Sequence, residues 1–168
     1  LTYLTSQLLQ EGTSKYSSKE IASILEGMGT NIVTKINRES ITLSSQAISH
    51  IWPKVFSLLS HIIMDPTFSE HDITRVKNEH IADLYRLQDE PRWISDRMNK
   101  KLLYGKSSPY GYDLTGNVTS IPLLQRDLIN SHYHKIINPS NISIVIVGDT
   151  NETEIINEAN KHISNWKK

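Results

Sequence analysis

The apolar period of this chain switches from about 3.6 to 2 between Ser17 and Ser45. Ile21, Ile24, Leu25 and Met28 recur at helical spacing after Ser17-x-x-Glu20. That pattern is a capping box: the serine hydroxyl and the glutamate three residues on each take a backbone N–H at the start of a helix. Gly29 closes the helix. Ile32, Thr34 and Ile36 then alternate with other residues, as do Ile41, Leu43 and Ser45, across the polar Asn37-Arg38-Glu39. This spacing predicts a β-hairpin with strands over 31–36 and 40–47. One stretch of chain cannot satisfy both periods, so the fold class is α+β.

The remaining chain reads mostly as helix. Leu1, Leu4, Leu8 and Leu9 form one stripe over 1–11, stopped by Gly12-Thr13. A helix with Pro53 in its first turn buries Val55, Phe56, Leu58, Leu59, Ile62 and Ile63 and ends at Asp65-Pro66. The next runs from Ser69 to about 88 with Ile73, Val76, Ile81, Leu84 and Leu87 inward, and another opens at Asp89-Glu90-Pro91 with Trp93, Ile94, Met98, Leu102 and Leu103 as its stripe. Three glycines and a proline make 105–118 a loop, followed by a helix over 120–135. Ile142-Ser143-Ile144-Val145-Ile146-Val147 is β-branched almost throughout and reads as a strand buried on both faces. A last helix carries Ile155, Ile156, Ala159 and Ile163, with Trp166 packed at its end. Three strands beside six or seven helices make a thin sheet, as expected of a domain whose first strands lie upstream. The start at Leu1 likewise reads as a processed or excised piece of a longer chain.

Composition narrows the chemistry. Eighteen Lys and Arg balance 18 Asp and Glu, which argues against bulk electrostatic binding of nucleic acid. The absence of cysteine excludes disulfides, thiolate zinc sites and a thiol nucleophile. No apolar run is long enough for a membrane span. No phosphate loop, dinucleotide fingerprint or G-x-S-x-G elbow occurs. Among seven histidines, His132 and His134 stand on opposite sides of one helix. His80 and Asp83, at i, i+3 beside Glu79, are the weak metal candidates, and their simpler reading is a solvated helix face. Asp89 and Glu90 suit the positive end of a helix better than acid–base chemistry.

The order of short phrases carries more information than any single motif. LLQEGT is followed by SSKEIASILEGMG, the strand pair, MDPTF, SEHDITRVK, DEP, LLYG, SPYG, SHYHKIINPSN, ISIVIVGDTNETE and ISNW. Over nearly all 168 residues this order resembles the M16 (insulinase, pitrilysin or mitochondrial processing peptidase) metallopeptidases. The resemblance implies one M16 half-domain, with helices packed on one side of a mixed or antiparallel sheet and N-terminal strands missing, within a longer two-domain chain. Active members carry H-x-x-E-H on the first helix, where two histidines hold zinc and the glutamate acts as general base. Anchored on Gly12-Thr13, those positions fall on Tyr3, Ser6 and Gln7, none a suitable ligand. The third ligand falls near Asp83, with a second acidic position at Val76. The family's substrate-pairing edge strand, N-A-x-T, falls on Val33-Thr34-Lys35-Ile36. Pairing through main-chain groups tolerates such changes.

LTxxLLxEGT further resembles the non-catalytic members of paired M16 proteins. The expectation is therefore a proteolytically inert domain without the family zinc. It would pair with a catalytic M16 subunit or second half-domain, closing a chamber that handles extended peptides, in a periplasm or organelle lumen. Two alternatives are a structural scaffold like the core proteins of respiratory complexes, and an active metalloendopeptidase with a rearranged site using His80 and Asp83.

Overall fold

A computed structural model describes residues 1–105 and 107–166. Lys106, within the expected loop over 105–118, lies outside the described residues. Helix α1 (Thr2–Leu8) runs into a 3-10 turn, Leu9–Glu11, and its stripe of Leu4, Leu8 and Leu9 is almost wholly buried. Gly12, at φ +156°, then lays its carbonyl against the Thr67 N–H at 3.1 Å, and Thr13 bridges Pro66. A Cβ on Gly12 would meet the Thr67 hydroxyl oxygen at 3.1 Å, so glycine permits the close approach that ties the first helix to the segment Pro66-Thr67.

The capping box forms as expected. The Ser17 N–H donates to the Glu20 carboxylate at 2.8 Å and the Glu20 N–H to the Ser17 hydroxyl at 3.4 Å, opening α2 (Ser18–Gly27). β1 (Ile32–Ile36) and β2 (Ile41–Ser45) pair antiparallel, with Ile32 opposite Ser45, Thr34 opposite Leu43 and Ile36 opposite Ile41. Ile32, Thr34 and Ile36 turn toward the body while Val33 and Lys35 face out, which is the period-2 pattern expressed in space. α3 (Trp52–Met64) buries Val55, Leu58 and Ile62. α4 (Glu70–Leu87) is capped by Ser69, whose hydroxyl accepts the Asp72 N–H at 3.1 Å. Its inward stripe is Ile73, Val76, His80 and Leu84, with His80 in the place that apolar spacing gives to Ile81.

α5 (Pro91–Tyr104) corrects an expectation: no residue of it is buried, and Met98, Leu102 and Leu103 stand in solvent. Its stripe finds no apolar surface among the described residues. Helix 120–135 is also divided, since Pro122 sits in a 3-10 turn, Ile121–Leu123, and α6 (Arg126–Ile136) starts only after the extended Leu124-Gln125. Tyr133 on α6 donates its hydroxyl to the Ile63 carbonyl at 2.7 Å, and its ring meets Phe68 edge-on at 5.4 Å. Burial first, with Asp65 adding, pushes the Tyr133 phenol up to about 12. Phe68 holds the left-handed conformation, φ +45°, while its carbonyl accepts Arg126 Nε at 2.8 Å. α7 (Glu152–Ile163) rests on α3, and Trp166 is half-buried beyond it.

The expected buried strand 142–147 does not form. The segment pairs with no strand among the described residues, and Val145 and Val147 are 82% and 91% exposed. β-branching favours an extended backbone, but a strand exists only where another supplies its hydrogen bonds. The observed sheet is thus the single hairpin β1–β2.

Candidate functional site

α1 packs against α4, α6 and β1. Tyr3, Ser6 and Gln7 occupy one side of this helix. Tyr3 and Gln7 are half-buried, and Ser6 is fully buried with its hydroxyl donating to the Tyr3 carbonyl at 2.7 Å. The Tyr3 ring lies 4.5 Å from the His80 ring, tilted by 31°. Burial, reinforced by the Asp83 charge, raises the Tyr3 phenol above its ordinary 10, so it stays protonated.

The structure thus brings the rings of Tyr3 and His80 together, with Asp83 near enough for its charge to act on the Tyr3 phenol. His80 is buried, not solvated, because α4 turns it inward in register with Ile73 and Val76. Its Nε2 lies 2.8 Å from the Thr115 carbonyl, which holds that nitrogen in a structural hydrogen bond. Asp83 is exposed and pairs with Arg86 at 3.1 Å. Glu79 is engaged by Arg75 at 3.1 Å, and Arg75 also reaches Glu11 across from α4 to the first helical segment. The Val76 position holds a buried methyl pair, not a carboxylate.

These residues do not fit a catalytic zinc. A protonated phenol, a buried alcohol already donating to backbone and a carboxamide replace two imidazoles and a carboxylate base. Among the described residues no group of three or more His, Cys, Asp or Glu is arranged to hold a metal ion.

Val33, Thr34, Lys35 and Ile36 lie on β1, which pairs with no strand but β2 among the described residues. β1 also packs near α1, and Gln10 Nε2 on the turn after α1 donates to the Thr34 hydroxyl at 2.8 Å. At the hairpin's turn, Arg38 donates to the carbonyls of Pro109, Tyr110 (3.2 Å) and Tyr112 (2.6 Å), and the Tyr110 hydroxyl donates to Glu39 at 3.1 Å. Sequence reasoning misses this clamp, since nothing in local spacing links residues some seventy positions apart. It also misses the pair His162–Glu158, 3.2 Å apart on α7, although i, i+4 spacing signals it.

Comparison with known proteins accords with this geometry. The family model described as insulinase (peptidase family M16) matches residues 1–108, and that described as the peptidase M16 inactive domain matches 124–168. The chain is 20% identical over 166 residues to a Bacillus subtilis protein named uncharacterized zinc protease YmxG, and 18% identical over 164 residues to the Helicobacter pylori non-peptidase homolog YmxG. These matches cover 99% and 98% of this chain but only 39% and 38% of the relatives, so the chain spans about two-fifths of their length. In fold it is similar to the crystal structure of a peptidase M16 inactive domain from Pseudomonas fluorescens (TM-score 0.86, 23% identity, 96% of this chain and 39% of that one). A protease from Helicobacter pylori superposes with a TM-score of 0.91 at 16% identity, over 99% of this chain and 40% of that one. With the first family model spanning residues 1–108 of 168, the chain belongs to the insulinase family, peptidase family M16.

Proposed function

We propose that this chain is a non-catalytic M16 domain that pairs with a zinc-bearing M16 domain or subunit and presents β1 to extended peptide in the chamber between them. The observation that carries the reading is the occupancy of the zinc-motif positions by Tyr3, Ser6 and Gln7, with Tyr3 stacked on a structural histidine. Water on a divalent cation becomes a nucleophile near neutral pH only when the cation is held by several strong ligands and a base is at hand. Neither is provided here. The name of the Helicobacter pylori relative, a non-peptidase homolog, points the same way.

Peptide handling is supported by the edge of β1 that pairs with no strand among the described residues. Its unpaired N–H and C=O groups can extend the hairpin by one strand, with affinity from main-chain bonds and selectivity from alternate side chains. Partnership is supported by the match of residues 124–168 to the family model described as the peptidase M16 inactive domain. The test is to mix the purified chain with an M16 protein carrying H-x-x-E-H. A stable heterodimer that cleaves an unstructured peptide, while this chain alone neither retains zinc nor cleaves, is the expected result. One tightly bound zinc per chain with turnover by this chain alone overturns the proposal.

A further inference from the structure

A second concavity lies away from Tyr3 and β1, between α2, α3 and α7, and encloses about 410 Å³. α3 lines it with Lys54, Ser57 and His61, which fall at i, i+3 and i+7 on one helical face. Among the described residues none of these three side chains has a hydrogen-bond or ion-pair partner, and the Tyr16 ring meets that of His61 edge-on at 6.0 Å. Three donor-capable groups thus converge on one space with their donors unused.

The facing helix adds positive charge. Lys161 and His162 of α7 line the same space, sharing the Glu158 carboxylate at 3.5 and 3.2 Å. Lys15 stands nearby, its ammonium 5.0 Å from the centre of the Tyr16 ring. Cations from three elements are opposed here by Glu158 and by Asp65 at the end of α3. Ile24 and Met28 from α2 and Leu58 from α3 make the apolar side of the cleft. A group that fills it must carry a negative end and an apolar body. The donors are a lysine, a hydroxyl and an imidazole without arginine, which suits one compact anion rather than a bidentate phosphate fork.

We propose that this cleft binds the C-terminal carboxylate of a peptide ending in an apolar residue, Lys54 and His61 holding the carboxylate and Ile24, Met28 and Leu58 packing on the last side chain. The choice of a peptide as the source of the carboxylate rests on the peptide-handling reading above; the charge and shape of the site do not. Burial holds His61 below its ordinary 6.5, with Lys15 and His162 adding to the effect and Asp65 opposing it, so the ring is neutral in the empty cleft at neutral pH. An anion seated beside it raises its proton affinity and is bound more tightly as the pH falls.

The experiment titrates the chain with N-acetyl-Ala-Leu-Phe as the free acid, with the same peptide as its C-terminal amide, and with octanoate, following the His61 ring signals by NMR. The acid is expected to saturate at millimolar concentration or below and to shift the His61 titration upward. The amide should bind at least about tenfold more weakly, and Lys54→Gln and His61→Gln should each lower acid affinity by about tenfold, equivalent to about 1.4 kcal/mol. Equal binding of acid and amide, or no shift at His61, overturns the site, and both readouts need only the unsubstituted chain. Octanoate binding as tightly as the peptide acid overturns the peptide as occupant. No catalytic partner is present in the measurement, so failure of pairing and failure of this cleft are read separately.

Discussion

The ring of Tyr3 covers that of His80 at 4.5 Å, and the far nitrogen of His80 is spent on the Thr115 carbonyl. An aromatic side chain whose phenol stays protonated thus packs on a histidine that sequence spacing alone offered as a ligand. The stack joins α1 to α4 and links both to the loop containing Thr115.

Metal binding should be recoverable by changing α1 alone. Tyr3→His with Gln7→His places two imidazoles at i, i+4 across from Asp83, a geometry suited to one divalent ion. The double variant is expected to bind one zinc per chain by elemental analysis after dialysis, while the unsubstituted chain retains none. Its thermal midpoint should then rise with added zinc, as for any ligand that binds only the folded state.

Leu8 is fully buried at the meeting of α1 with the rest of the core. Leu8→Ala removes buried methyl groups and leaves a cavity, and should lower stability by about 2–5 kcal/mol. Urea unfolding with an unchanged slope and a lower midpoint is the expected observation. A change below about 0.5 kcal/mol, a threshold of the order seen at surface sites, would show that α1 is not part of the core.

His61 makes stability depend on pH. Its proton affinity is lowered in the folded state, first by burial, so the unfolded chain binds protons more readily. This contribution is fully present above the ordinary value of 6.5 and is lost as the pH falls below it toward the folded value. His61→Gln should flatten the loss of stability measured between pH 7 and pH 5.

Arg38 binds three carbonyls of the 109–112 segment and lies 5.3 Å from the Tyr110 ring centre. That segment is the chief contact of α5, which buries nothing of its own. Arg38→Ala should speed amide exchange across 91–104 and 109–112 while leaving exchange in α1 and α3 unchanged. Uniform protection in both regions would assign the seat of α5 to other contacts.

Val145 and Val147 expose apolar side chains on an extended, unpaired segment, a template for edge-to-edge association. Val145→Lys with Val147→Lys should reduce concentration-dependent self-association in analytical ultracentrifugation without moving the thermal midpoint by more than about 2 °C. Undiminished association would place the sticky surface on α5 instead.

Features written in local spacing are legible in the amino-acid order alone. The capping box at Ser17 and Glu20 and the cap at Ser69 depend on residues three positions apart, and the hairpin on two period-2 runs that are neighbours in the chain. The α4 stripe differs by one residue from its apolar pattern, because His80 counts as polar by composition while its ring spends its free nitrogen inside the fold. The Arg38 clamp and the α3–α7 cleft have no local signature at all.

The sequence by itself determined the capped helix starts at Ser17 and Ser69, the hairpin, and which side chains stand at Tyr3, Ser6 and Gln7, because capping, period and ligand type belong to individual side chains. Only the tertiary structure decided that His80 is a buried hydrogen-bonded spacer, that Ile142–Val147 pairs with no strand among the described residues, and that α5 lies in solvent. Burial and strand pairing are relations between distant parts of a chain. A β-branched run specifies an extended backbone, but only a neighbouring strand can take up its hydrogen bonds.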